Sequence, residues 1–84
     1  MARLDCTGLN LPGSPVLRVR GNDHNPPHFH VEHPDYGALV SIRNPTIIAG
    51  DMPLAVWKQI RTWAADHQDV LITEWNRCNP SLKI

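Results

Sequence analysis

The 84-residue sequence predicts one small α+β domain, an antiparallel meander of three or four strands packed on one face by two C-terminal helices. Two observations favour this class. Short alternating runs separated by Gly, Pro and Asn occupy residues 16–50, and apolar residues then recur at helical spacing over 51–78. Residues 1–15 are expected to form an irregular lead-in, and residues 79–84 are expected to form a frayed tail.

The first strand is predicted over residues 16–20, where apolar and basic side chains alternate weakly before Gly21 and Asn22. The segment that follows contains Pro26 and Pro27, which fix φ and lack N–H donors. Because a central strand needs those donors, we expect this segment to be an extended connector outside the sheet.

A hairpin is predicted where the runs 28–33 and 38–43 flank the sequence Pro-Asp-Tyr-Gly at 34–37. Pro and Asp favour the turn, and Gly37 is expected to supply a positive φ where the second strand of the hairpin begins. An Asn-Pro turn then leads to a short apolar strand over 46–49.

Helical periodicity begins after Asp51, a good N-cap, and Pro53, which the first turn of a helix tolerates. The apolar face of this helix contains Val56, Trp57, Ile60, Trp63 and Ala64. An uninterrupted helix over 53–78 would be roughly 39 Å long, which is too long for a domain of this size. The sequence therefore predicts a break near residues 66–69, with Asp69 capping a second short helix.

Charge and cysteine content limit the classes of function. Eight basic and eight acidic residues cancel, so no global field favours binding to nucleic acid or to a membrane surface. No segment has the hydrophobic length of a signal peptide or a membrane span, which predicts a cytoplasmic protein without membrane contact. Cys6 and Cys78 are accordingly expected to be reduced, and the lack of a Cys-x-x-Cys pair disfavours a cysteine–histidine metal site.

Four of the five histidines lie within ten residues of one another, and this stretch is the most distinctive chemical feature of the chain. Side chains alternate across a strand, so His28, His30 and Glu32 should share one face. Phe29 and Val31 should share the other face and meet the helices. His28, His30 and Glu32 are therefore expected on the outer, wetter face of the sheet.

The same alternation in the first predicted strand turns Leu17 and Val19 inward and leaves Arg18 and Arg20 outward, beside the histidines. The outer face would then carry imidazoles, a carboxylate and two guanidiniums. We identify Arg18, Arg20 and Glu32 as candidate binding residues.

Three interpretations of this outer face are open. In the first, His28 and His30 converge with His24 from the preceding loop on a divalent metal such as zinc. In the second, His28 and His30 are catalytic and exchange protons with a phosphodiester, such as RNA, that the two arginines hold. In the third, the face is a solvated polar surface that binds a protein partner. The residues alone leave open whether the protein is an enzyme.

The stretch His-Asn-Pro-Pro-His-Phe-His at 24–30 and its flanking residues resemble the signature of a family of short bacterial proteins, domain of unknown function 4160. The resemblance extends over about residues 16–78 and includes the Met52-Pro53 start of the first helix. It implies a stand-alone cytoplasmic protein, often encoded beside another small domain of unknown function. That arrangement has suggested toxin–antitoxin-like pairs.

The resemblance implies no reaction for His24, His28 or His30. We therefore expect an interaction module whose partner is a small protein encoded by a neighbouring gene, and the resemblance suggests one half of a toxin–antitoxin-like pair as its form. The alternative is a metal-dependent or histidine-based hydrolase that uses these three histidines on RNA.

Overall fold

The computed structural model describes residues 2–3, 15–20 and 26–84, and side chains are described from residue 15 onward. Its elements are β1 (Ala2–Arg3), β2 (Val16–Val19), β3 (His28–His33), β4 (Tyr36–Ser41), β5 (Ile47–Asp51), α1 (Leu54–Asp66), α2 (Gln68–Cys78) and a 3₁₀ turn (Pro80–Leu82). The strands follow chain order in one antiparallel sheet. The predicted α+β meander with two C-terminal helices is confirmed. The predicted irregular lead-in contains the short β1, and residues 4–14 lie outside the described part.

The β3–β4 hairpin closes through a two-residue turn, because His33 already pairs with Tyr36. Gly37 therefore lies inside β4, opposite Glu32, and does not belong to the turn. The positive φ predicted for Gly37 is wrong, since in the described residues positive φ values occur at Asn44 and Gly50. The predicted turn was two residues too long, so the positive φ was assigned to a residue that lies in a regular strand.

Two positive φ values occur in this part of the chain, 50° at Asn44 in the connection between β4 and β5 and 78° at Gly50 within β5. The Ser41 hydroxyl donates to the Asn44 carbonyl at 2.6 Å and accepts from the Thr46 amide at 3.1 Å, which closes the predicted Asn-Pro turn. Further along β5, Ile48 is an extra residue between two cross-strand pairs and forms a bulge. The bulge and the left-handed Gly50 interrupt the outer edge of the sheet.

The start of α1 differs from the prediction. Asp51 is the last residue of β5, and its carboxylate accepts a hydrogen bond from the Met52 amide at 2.8 Å. Pro53 occupies the N-cap, and no side chain caps α1. The strand thus extends two residues beyond its predicted end. Asp51 belongs to this strand and therefore does not cap the helix.

The predicted break between the helices is confirmed and falls at His67. His67 is also the N-cap residue of α2, so Asp69 lies within the first turn and the capping role predicted for it is wrong. The side-chain amide Nε2 of Gln68 donates to the carbonyls of Ile42 at 2.6 Å and Ala64 at 3.0 Å. The break is therefore attached to the chain just after β4, and it lies two residues before the expected cap.

The hydrophobic core fills the space between one face of the sheet and both helices. Its sheet residues include Leu17, Val19, Phe29, Val31, Ala38 and Val40, and its helical residues include Val56, Ile60, Trp63, Ala64, Leu71 and Trp75. The inward orientation predicted for the apolar residues of β2 and β3 is confirmed. Trp57, expected on the buried face, is only half-buried at the edge of the core.

The chain after α2 is ordered, so the frayed tail is a wrong prediction. Asn79 is 3% exposed, and its side-chain amide donates to the Arg20 carbonyl at 2.8 Å. The indole N–H of Trp75 donates to the Leu82 carbonyl at 2.8 Å in the 3₁₀ turn. These polar contacts hold the tail against the domain. The tail has too few apolar residues for the sequence to predict that it packs there. None of the helices in the described residues is long and apolar enough to cross a membrane.

Candidate functional site

Glu32 is the centre of a charged cluster on the outer face of β2 and β3. Its carboxylate forms an ion pair with the Arg18 Nε, 3.0 Å from Oε1, and accepts a hydrogen bond from the Arg20 Nη2 at 2.7 Å through Oε2. The register places Arg18 opposite His30, two pairs away from Glu32 and on the same face of the sheet. The structure therefore brings together the three candidate binding residues, as the strand alternation predicts.

The same contacts hold Glu32 in its ionised form. The hydrogen bond from Arg20, opposed by partial desolvation, lowers the pKa of the Glu32 carboxyl together with the positive charges of Arg18, Arg20 and His30. An ionised carboxylate that engages two arginines through separate oxygens restricts both guanidiniums. The cluster is thus ordered by contacts within the sheet itself.

His28 is not on the wetter surface where the alternation predicts it. It is 2% exposed, and its Nδ1 donates to the Pro26 carbonyl at 2.8 Å, because a carbonyl can only accept. Its ring centroid lies 5.6 Å from that of Trp75 and 5.1 Å from that of His30. His28 is the first residue of β3, where α2 closes the end of the sheet, so alternation alone does not determine its exposure.

The proposed metal ligands are only partly described. His28 and His30 lie close together, whereas His24 lies outside the described residues. Within residues 15–20 and 26–84, no group of three His, Cys, Asp or Glu side chains is placed to hold a metal ion. Cys6 also lies outside this part, and Cys78 is a half-buried free thiol.

A shallow depression of about 360 Å³ adjoins the charged cluster on the outer face. We call it the outer-face depression; it is lined by Arg20, His30, Val31, Glu32, Gly37, Ala38, Leu39, Ala49 and Gly50. We call its small lining residues on β4 and β5 the floor, and its polar lining residues on β3 and just after β2 the rim. The sequence analysis did not predict the floor. Gly37 and Gly50, which lie on either side of the Asn-Pro turn, are the sequence signal that could have indicated it.

The floor depends on a close approach of two strands. Gly50 pairs with Ala38, and a Cβ on Gly50 would collide with the Gly37 carbonyl and lie 2.8 Å from the Ala38 Cα. Only glycine fits this position, because its φ is also positive. The depression is therefore built into the backbone of β4 and β5.

The two other described histidines have structural partners. His33 stacks on Tyr36 with ring centroids 4.3 Å apart, and its Nδ1 accepts from the Asp35 amide at 3.1 Å. His67 stacks on Trp63 at 4.6 Å and donates through Nδ1 to the Trp63 carbonyl at 2.7 Å. Both imidazoles stabilise chain reversals, the hairpin turn and the helix break respectively.

The fold and this site define a small α+β module that carries a charged, glycine-floored depression on the sheet face opposite its helices. The family model described as Domain of unknown function (DUF4160) matches residues 18–76. The chain belongs to that family, as its histidine-proline stretch predicts. No curated protein and no solved structure matches the chain.

Proposed function

We propose that this protein is a small interaction module of the bacterial cytoplasm that binds a partner protein through the outer-face depression. The observation that carries this proposal is the combination of a restricted polar rim, Arg20 paired with Glu32, and a floor of small residues. In the version that follows from the family resemblance, the partner is a small protein encoded by a neighbouring gene. The two would form a toxin–antitoxin-like pair.

The rim favours binding because its order costs little on association. Side chains that must be immobilised at an interface each oppose binding by about 0.5–1.5 kcal/mol. Arg20 remains 47% exposed and uses one of its five N–H groups on Glu32 in the described structure. Its remaining donors suit a carboxylate or a backbone carbonyl of the partner, and an aligned guanidinium is a common interface anchor.

The size of the depression favours a protein side chain over a large ligand. About 360 Å³ is at the lower end of the range for small-molecule sites, and the depression is shallow and open. The neighbouring edge strand is a less suitable attachment point. The bulge at Ile48 and the positive φ of Gly50 interrupt the regular row of groups that an added strand needs.

The experiment uses the chain co-expressed with the product of the neighbouring gene, followed by calorimetric titration of the two purified proteins. Ala49→Trp fills the floor with an indole, and Thr73→Trp is the matched control at an exposed position of α2, away from both the depression and α1. We expect Ala49→Trp to weaken binding at least about tenfold, because it displaces a side chain from the depression. Equal affinity of both variants, or no complex with the unmodified chain, refutes the proposal.

A histidine-based hydrolase is the second candidate, and the observation that favours it is the 5.1 Å separation of the His28 and His30 rings. It ranks second because a general acid or base must reach its substrate, and His28 is buried. Incubation with end-labelled RNA tests it, with and without zinc or manganese, alongside elemental analysis of untagged protein. Cleavage that His30→Ala abolishes would establish the hydrolase in place of the binding module.

A further inference from the structure

The first helix presents a second distinctive surface, on the opposite side of the domain's secondary-structure layers from the outer-face depression. Leu54, Trp57, Lys58 and Arg61 follow the spacing i, i+3, i+4 and i+7, so they form one stripe along α1. We call these four residues the α1 stripe. Leu54 is 64% exposed, Lys58 and Arg61 are exposed, and Trp57 is half-buried.

The α1 stripe combines apolar area with positive charge that the described structure does not neutralise. Within the described residues, neither Lys58 nor Arg61 forms an ion pair, in contrast to the arginine pair on Glu32. The Arg61 guanidinium carbon lies 6.0 Å from the centroid of the Trp57 ring. The α1 stripe contains no acidic residue, because the only carboxylate of α1 is Asp66 at the end of the helix.

We propose that the α1 stripe docks an acidic amphipathic helix of a partner protein. An amphipathic helix binds such a surface through side chains at positions i, i+3, i+4 and i+7. α1 has 13 residues and is about 20 Å long, which matches three to four turns of a partner helix. Tryptophan and arginine are residue types that often dominate the binding energy at interfaces, and the α1 stripe contains a half-buried Trp57 and an exposed Arg61.

Charge favours a foreign acidic partner over a second copy of this chain. Two copies meeting through the α1 stripe would place Lys58 and Arg61 of one protomer against the same cations of the other, and like charges across an interface oppose association. Nucleic acid is disfavoured because two cations neutralise few phosphates and Leu54 would gain nothing from a phosphate backbone. A membrane is disfavoured because the main apolar face of α1 is already in the core.

The proposal does not rest on the outer-face depression. The two surfaces belong to different elements, so the Ala49→Trp variant leaves the α1 stripe unchanged. Binding at the stripe and binding at the depression can therefore fail independently.

The experiment measures fluorescence anisotropy of two labelled helical peptides of about 18 residues, long enough to cover α1. Both carry leucine at i, i+3, i+4 and i+7, and they differ in having glutamate or lysine at the flanking positions. The full-length chain is compared with a Lys58→Glu/Arg61→Glu variant. Arg43→Glu/Lys83→Glu is the matched control, since it changes the net charge equally at exposed positions outside α1.

We expect the glutamate peptide to bind at least about tenfold more tightly than the lysine peptide. The Lys58→Glu/Arg61→Glu variant should reverse this preference, and the control variant should keep it. Leu54→Ala should weaken binding of the glutamate peptide without lowering the melting temperature, because its side chain is exposed. Equal binding of both peptides, or equal loss in the control variant, overturns the proposal.

Three further arms identify other occupants. A labelled RNA of about 20 nucleotides that binds through Lys58 and Arg61 but not through Leu54 would assign the stripe to nucleic acid. Binding to vesicles of anionic phospholipid that requires Leu54 would assign it to a membrane surface. Sedimentation showing a dimer that Leu54→Ala dissociates would assign it to self-association. Each of these results overturns the acidic-helix proposal.

Discussion

Gly50→Ala is expected to destabilise the protein far more than an ordinary substitution on an exposed strand. Gly50 has a φ of 78°, and its backbone approaches β4 so closely that a Cβ would lie 2.8 Å from the Ala38 Cα and collide with the Gly37 carbonyl. Both obstacles are backbone atoms, so no side-chain rotation relieves them. The strands must separate, or the local backbone must change its conformation.

The magnitude follows from two contributions. A left-handed φ costs an alanine about 1–2 kcal/mol, and forcing an extra carbon into a closed space costs about 1–3 kcal/mol. The expected loss is therefore at least about 2 kcal/mol. Domains of this length have a free energy of unfolding of about 4–13 kcal/mol, so the loss is a substantial fraction of the total. It corresponds to a fall in melting temperature of about 8–16 °C.

The control is Gly37→Ala in the neighbouring strand. A Cβ on Gly37 would meet its nearest atom, the Val31 carbonyl oxygen, at 3.7 Å, which is an ordinary contact, and the residue has no positive φ. We expect its free energy of unfolding to change by less than about 1 kcal/mol. Urea unfolding followed by tryptophan fluorescence measures both variants. Equal stability of the two would refute the argument that Gly50 holds β4 and β5 at this separation.

Three further substitutions test contacts elsewhere in the domain. Tyr36→Phe removes a buried hydroxyl that has no hydrogen-bond partner in the described structure, so urea unfolding should show unchanged or higher stability, by up to about 1.5 kcal/mol; a loss would reveal a missed partner. Asn79→Ala removes the donor to the Arg20 carbonyl and should cost about 1–3 kcal/mol, and an unchanged melting temperature would contradict a structural tail. Glu32→Gln should cost less than about 1 kcal/mol at neutral pH, because the carboxylate is 36% exposed. Since folding lowers the pKa of Glu32 below 4.5, its contribution is present above that pH and is lost as the pH falls through the folded-state pKa. The unmodified chain should therefore lose more stability than Glu32→Gln in that acidic window, and parallel pH profiles would contradict the role of the cluster.

Local periodicity was sufficient to predict the fold class, because strands and helices bury one side of a repeating pattern. The alternation in β2 and β3 assigned the inward apolar residues correctly, and the spacing of Val56, Ile60, Trp63 and Ala64 assigned the buried face of α1. The errors occurred at element ends. Asp51 and Asp69 are good caps by residue type, but Asp51 lies at the end of β5 and Asp69 lies within the first turn of α2.

The candidate site was predictable where it depends on alternation and unpredictable where it depends on long-range packing. Arg18, Arg20 and Glu32 meet because neighbouring strands align side chains of the same face. The burial of His28 depends on Trp75, 47 positions later in the chain, and no local pattern reports that contact. The glycine floor likewise depends on the register between β4 and β5, including the bulge.

The order of the Arg20 rim has two independent sources, and this bears on how a partner could be recognised. The Arg20 backbone is held by Asn79 beyond α2, and its guanidinium is held by Glu32 on β3. A change in the tail should therefore move the rim even though the tail lies outside the depression. If the depression is the binding surface, Asn79→Ala should weaken partner binding beyond its effect on folding, measured at a temperature where the variant remains folded. Unchanged affinity would mean that the Glu32 contact alone positions Arg20.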